Sequence, residues 1–243
     1  MGCSTPLNFA RYALMEGLAE AAELGVNSLA FGLVASTDTH NGMAGGVDER
    51  SFPGHVGIID DDPRQRVSEE TGIGNVSNNP GGLVGAWAEE NSRDAIFEAL
   101  RRRETFGTSG PRIQPRFFGG YGYAADLCGD PDFVTKGYAG GVPMGGELPS
   151  LPAGAEAPVF AVSALRDPGT AAFPGGLLQR IQIVKGWADD AGRFHQAVYD
   201  VAGSAENGAH VDPATCEPRG PGHDSLCAVW SDPDFDPRRH AVY

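Results

Sequence analysis

From the amino end, apolar residues recur at helical spacing: Leu7, Ala10, Leu14, Leu18 and Ala21 share one face of residues 4–25. Ser4 or Thr5 suits the cap, Pro6 the first turn and Gly25 the end, so the pattern predicts an amphipathic helix. The apolar run Leu29-Ala30-Phe31-Gly32-Leu33-Val34-Ala35 comes next and reads as a buried strand. Residues 41–86 then break into clusters of Gly, Pro, Asn and Asp and predict a long loop of the kind that is functional or disordered. Helical spacing returns from about Asn91 to Arg103, with Ile96, Phe97 and Leu100 expected inside. Arg101-Arg102-Arg103 completes its last turn, where positive charge suits the helix dipole.

After Thr108-Ser109-Gly110-Pro111-Arg112 the texture changes to strands and turns. Val159–Val162, Ile181–Val184, Ala197–Val201 and Cys227–Trp230 carry strand composition, and Asp189-Asp190-Ala191-Gly192 reads as a hairpin turn. The pattern predicts an α/β part over residues 1–112 and a mostly antiparallel, β-sandwich-like module over residues 113–243. Ala241-Val242-Tyr243 reads as the opening of another strand, so both ends look cut.

Composition narrows the function classes. The 35 glycines and 18 prolines fit many turns and long loops and argue against a helical bundle. A formal net charge of −14 disfavours nucleic acid and anionic membrane surfaces, both of which call for clustered Lys and Arg. No apolar run approaches the ~18 residues of a membrane span. The first residues show neither a basic segment nor an apolar core of a secretory signal. None of Cys3, Cys128, Cys216 and Cys227 has CxxC spacing. Cys216 and Cys227 flank a Gly/Pro-rich segment, and a disulfide between them would stabilise by ~2–3 kcal/mol; two unpaired thiols are the alternative. A disulfide implies a compartment outside the cytosol.

The chemistry concentrates in Ser36-Thr37-Asp38-Thr39-His40. On an extended chain, side chains two apart leave on the same side, so Asp38 and His40 would project together from the end of the apolar run. A carboxylate and an imidazole so placed suit a divalent metal; a capped turn with His40 hydrogen-bonded to Asp38 is the plain alternative. His55 in the long loop is a further ligand or proton carrier, or a surface histidine. Asn41 is a candidate for binding substrate or water. Arg112 follows a Thr-Ser-Gly-Pro turn whose backbone N–H groups, with Ser109, could cradle an anion while the guanidinium clamps it; a strand-edge arginine paired with one of the many acids is the alternative. Glu49 and Asp60-Asp61-Asp62 are acidic but lack calcium-loop spacing. Trp87, Trp187 and Trp230 fit a core or a sugar-stacking platform.

Several phrases recur here in one order: Ser36-Thr37-Asp38-Thr39-His40-Asn41, Phe52-Pro53-Gly54-His55, Asn79-Pro80-Gly81-Gly82-Leu83, Val142-Pro143-Met144-Gly145-Gly146, Gln179-Arg180-Ile181-Gln182-Ile183-Val184-Lys185-Gly186-Trp187 and Trp230-Ser231-Asp232-Pro233-Asp234-Phe235-Asp236-Pro237. Together they resemble the C-terminal portion of a large, mostly bacterial family catalogued as a domain of unknown function and related to PHP-type metal-dependent hydrolases. The resemblance implies a C-terminal remnant of a PHP-like (β/α) barrel over residues 1–112, followed by the β-rich extension. It implies Mn²⁺, Zn²⁺ or Fe²⁺ activating water against a small phosphate or sulfate ester, with Asp38 and His40 as the late Asp-x-His ligands. His55 would assist proton transfer and Arg112 would neutralise developing charge. A periplasmic or extracellular full-length protein is also implied. The family's early His-x-His ligand motif is missing from these 243 residues, so the expectation is a fragment lacking its N-terminal metal-binding half. The rival expectation is a non-catalytic secreted module whose β-rich part binds a glycan or a protein.

Overall fold

The structure, a computed structural model, describes residues 5, 8–43, 46–48, 51–56, 61–62, 64, 80–172, 174–215 and 217–243. The described residues are mostly β with few helices and form no closed barrel, so the expected barrel remnant is not seen in residues 1–112. Chain contacts divide the protein into two compact units that interleave in sequence. One comprises Met1–Phe31, Pro115–Leu165 and Leu177–Tyr243; the other comprises Gly32–Gln114 and Arg166–Gly176. The expected division near Arg112 falls close to the end of the second unit's main segment. The first helix, however, belongs with the β-rich unit, and residues 166–176 belong with the other.

In the β-rich unit, β3 (Gln114–Gly120), β4 (Gly141–Pro143), β5 (Val159–Leu165) and β10 (Ser225–Ser231) form a sheet in the order β10-β5-β3-β4. A second sheet has the order β11-β6-β7, built from β6 (Arg180–Ala188), β7 (Phe194–Gly203) and β11 (Ala241–Val242). The strand at 159–162 is buried on both sides because its side chains alternate. Phe160 and Val162 join Ile183 of β6 in one core cluster, while Ala161 joins Phe118 and Leu127 in another. The first cluster holds residues of both sheets, which therefore share a core. The β6–β7 hairpin closes at the predicted turn: Asp189 Oδ1 accepts the N–H groups of Ala191 and Arg193, and Gly192 sits at φ 72°.

The helix α1 (Ala10–Leu24) ends as expected at Gly25, which adopts φ 74° and donates its N–H to Ala21. Its start differs. The Thr5 N–H and Oγ1 both go to Asn8 Oδ1, and that turn defers the helix to Ala10. Its most buried residues are Met15 and Gly17, and Met15 packs against Gly186 of β6. On the other sheet, α3 (Phe133–Gly140) lies against Phe118 through Gly137. A Cβ at Gly137 would come within 2.5–2.8 Å of the Phe118 ring, which is 1% exposed and held by Phe133 and Tyr138. Alanine gains ~1 kcal/mol in helix propensity, but overpacking costs ~1–3 kcal/mol. Gly137→Ala is therefore expected to destabilise by up to about 2 kcal/mol, read from urea unfolding; a stabilised variant would contradict this packing.

The disulfide is another correction. Cys227 on β10 is bonded to Cys128, in a 3-10 turn at Leu127–Gly129, and so is not available to Cys216, which lies outside the described residues along with Cys3. Strand β10 runs beside β5, and Leu127 packs on Ala161 of β5, so tertiary packing rather than sequence proximity selects the partner.

In the second unit, β1 (Val84–Ala86) pairs antiparallel with β2 (Thr105–Gly107), and α2 (Arg93–Arg101) connects them. Ser92 caps α2 by accepting the Ala95 N–H at 3.2 Å, and Arg101 sits in its last turn as expected. Its apolar residues do not sit as expected: Ile96, Phe97 and Leu100 are exposed, and the buried residue is Ala99. The helix meets its neighbours through this small side chain, so its broader apolar face points away from the described residues. Nor is Leu29–Ala35 a buried strand; it joins no ladder, and Leu33 and Val34 are exposed. Composition supplies strand-forming side chains, but a strand also needs a partner for its backbone. Here the Leu33 carbonyl accepts Thr105 Oγ1 at 2.9 Å, and Ala35 lies against Gly107, so the segment runs beside β2 without pairing to it.

Candidate functional site

Four hydrogen bonds or close polar contacts order two short segments of the second unit, and three of them run between the segments. The His40 N–H donates to the His55 carbonyl at 2.7 Å, and Asn41 Nδ2 donates to the Gly54 carbonyl at 2.9 Å. Asn41 Oδ1 accepts the Met43 N–H, which holds the turn that follows. The fourth contact sets His55 Nδ1 3.2 Å from the Thr37 carbonyl. Asn41, a candidate for substrate, thus serves as the rivet between these segments.

Asp38 lies between them with a φ of 54°, the left-handed region that Asp tolerates better than most residues. Its N–H reaches Ser36 Oγ at 3.3 Å, while Thr37 and Thr39 bond each other through their hydroxyls. Asp38 Oδ1 lies 3.3 Å from His40 Nε2, and both side chains are well exposed. The His40 and His55 rings meet edge to face at 5.1 Å. One ligand atom from each of Asp38, His40 and His55 lies within 4.8 Å of the others. The pairing of Asp38 with His40 follows the i, i+2 expectation, although a left-handed residue rather than a strand end produces it.

The donor set suits a divalent cation. A carbonyl oxygen accepts only, so the contact with Thr37 assigns the proton to His55 Nδ1 and leaves the lone pair on Nε2. Metal-binding histidines are oriented by this kind of bond from the other ring nitrogen. One carboxylate and two imidazoles are a common three-ligand set for a catalytic ion with an open position.

Arg112 takes a different place. Its Nη2 donates to the Val47 carbonyl at 2.7 Å, and its backbone N–H donates to Asp167 Oδ2 at 2.8 Å. Asp167 also accepts the Gly169 N–H, and these backbone bonds, that of Arg112 first, hold its carboxyl below the usual range. The backbone N–H just after the turn therefore holds a carboxylate of the chain itself, and within the turn the Thr108 N–H donates to the Leu83 carbonyl. The hydrogen bonds of Arg112 run to Val47 and Asp167 rather than to Asp38, His40 or His55. Its Nε is buried and takes no hydrogen-bond partner among the described residues. Ser109 is exposed in the same turn. Glu49 and Asp60 lie outside the described residues, and Asp61 and Asp62 are exposed.

The tryptophans serve packing. Trp87 lies against Phe106, Trp187 stacks on His195, and Trp230 touches Phe160 and Tyr199. A polar cluster escapes sequence reading: Lys185, Asp232 and Tyr243 meet in the β-rich unit across up to 58 residues (243 − 185). The only sequence signal is the acidic Asp232-Pro233-Asp234 phrase after β10, which looks like any solvated loop.

No curated protein and no solved structure matches the chain. A family model does, over residues 1–243, and the chain belongs to that family, DUF3604, described as a protein of unknown function.

Proposed function

We propose that Asp38, His40 and His55 form part of the metal centre of a hydrolase acting on small phosphate or sulfate esters. The observation that carries this reading is the convergence of the three ligand atoms within 4.8 Å, with the ring of His55 held by Thr37. A bound Mn²⁺, Zn²⁺ or Fe²⁺ would supply Lewis acidity toward water and the ester oxygen. Asp38 contributes the negative charge, and the histidines contribute neutral donors. Asn41 keeps His40 and His55 in register by tying their segments together. His55 enters this reading as a third ligand, the first of the two roles the sequence offers for it. Arg112, held in the same unit by Val47 and Asp167, is the cation this reading assigns to the charge developing on the ester.

The resemblance of the Asp-x-His phrase to PHP-type hydrolases supports the same reading and sets its scope. The early His-x-His ligands of such enzymes are not among these residues, so ester turnover is expected of a protein that supplies them. The Cys128–Cys227 bond supports a periplasmic or extracellular setting, because disulfides persist in oxidising compartments.

Metal binding is the property to test on this chain. Titration calorimetry with Mn²⁺ and Zn²⁺ is expected to give one ion per chain. His40→Ala and His55→Ala are each expected to weaken binding beyond the roughly 10–100-fold typical of outer-shell changes. Absence of binding, or binding indifferent to both substitutions, would overturn the proposal.

A further inference from the structure

The β-rich unit contains a cleft of about 220 Å³ on the face of β6 and β7, walled by the segment that follows β10. Lys185 and Trp187 of β6 line it together with Tyr199 of β7. Asp234, Phe235 and Arg239 line the opposite wall. We propose that this cleft binds a neutral saccharide, independently of the Asp38 site.

The polar groups select the ligand by what they have left to offer. Lys185 is buried, and two of its three donors are engaged, with Asp232 Oδ2 at 2.5 Å and the Asp234 carbonyl at 2.8 Å. One N–H remains for an acceptor. Asp234 is exposed; its Oδ2 takes the Tyr199 hydroxyl at 2.8 Å, and a carboxylate accepts several bonds. The cleft therefore presents a donor and an acceptor side by side, and a hydroxyl group satisfies both. Tyr199 and Phe235 add apolar surface suited to the C–H faces of a sugar ring.

Charge excludes the other classes. An anion would need a cation free of carboxylates, but Lys185 is paired with Asp232, Arg239 shares Asp236 with Arg238, and Asp234 adds a further carboxylate to the lining. A cationic ligand would have to share carboxylates that Lys185, Arg238 and Arg239 already hold, or compete with the Tyr199 hydroxyl at Asp234. The cation–π place is also taken, since the Lys185 ammonium lies 5.4 Å from the Trp187 ring centre. A neutral polyol with an apolar face is the class that fits.

The test is tryptophan fluorescence and calorimetry with neutral tetrasaccharides (gluco-, xylo- and mannotetraose), beside a sulfated and a uronate oligosaccharide, in EDTA. At least one neutral tetrasaccharide is expected to bind. Asp234→Ala and Phe235→Ala, each checked for folding by circular dichroism, are expected to weaken it tenfold or more. Asp38→Asn should leave it unchanged, so failure of the metal-site reading would not disturb this result. Absence of binding by the neutral sugars would overturn the proposal. So would equal or tighter binding of the charged ones, or full affinity in folded Asp234→Ala.

Discussion

Replacing Asp232 by alanine is expected to cost about 3–5 kcal/mol, the range for removing one partner of a buried ion pair. Its side chain is fully buried and accepts from three donors. Lys185 Nζ and the Tyr243 hydroxyl each lie 2.5 Å from Oδ2, and the Asp234 N–H lies 2.9 Å from Oδ1. Without the carboxylate, Lys185 Nζ is left at 5% exposure with only the Asp234 carbonyl. The Tyr243 hydroxyl, whose pKa is pushed up by burial and then by Asp232, loses its acceptor in a half-buried site beside Phe160. Such a loss is a large share of the 5–15 kcal/mol that stabilises a typical domain. Urea unfolding of the single variant measures it, and a loss below 1 kcal/mol would contradict the buried pair. The double variant Lys185→Met/Asp232→Leu separates the pair from its burial. Because desolvation offsets much of the attraction, the double replacement is expected to cost less than Asp232→Ala alone.

Loss of the disulfide is the second large effect. The bond closes a loop across a sequence separation of 99, for which the chain-entropy model gives a ceiling of about 4.7 kcal/mol. A Cys128→Ser/Cys227→Ser variant, or reduction of the native protein, is expected to lower unfolding free energy by about 2–5 kcal/mol. Peptide mapping under non-reducing conditions checks the pairing itself. A linked peptide joining Cys216 to Cys227 would restore the shorter loop that the sequence suggests and remove the basis for the larger figure.

What the sequence made legible was local. Gly25 stops α1 and Ser92 caps α2, though only the former stop was foreseen; the Asp189–Gly192 turn sets the β6–β7 hairpin. Each of these depends on a few adjacent residues with special backbone or side-chain geometry. The four stretches read as strands lie within β5, β6, β7 and β10. The start of α1 failed locally, at the Thr5–Asn8 turn, and the larger failures were questions of partner. Nothing in Leu29–Ala35 says whether another strand will pair with it, and nothing in Ile96, Phe97 and Leu100 says what will cover them. Cys227 has a nearer cysteine in sequence than the one it meets in space. At the candidate site, spacing brought Asp38 and His40 into view as a pair, and His55 was named as a further possibility. Its ring geometry could not be read, because it depends on the Thr37 carbonyl 18 residues away. Lys185 and Asp232 show the same limit, since each looks solvated until the fold buries them together.

The bond between Cys128 and Cys227 also makes a covalent ring of the intervening chain. Arg219 is exposed within that ring, and trypsin cutting after it would leave residues 1–219 and 220–243 joined through the two sulfurs. Such a nicked molecule runs as one species on a non-reducing gel and separates only when reductant is added. Arg101 lies outside the ring, and a cut there frees its fragment without any reductant. Proteolysis read on paired gels therefore reports which side of the ring was cut, and intact mass alone would overstate how much of the backbone survives.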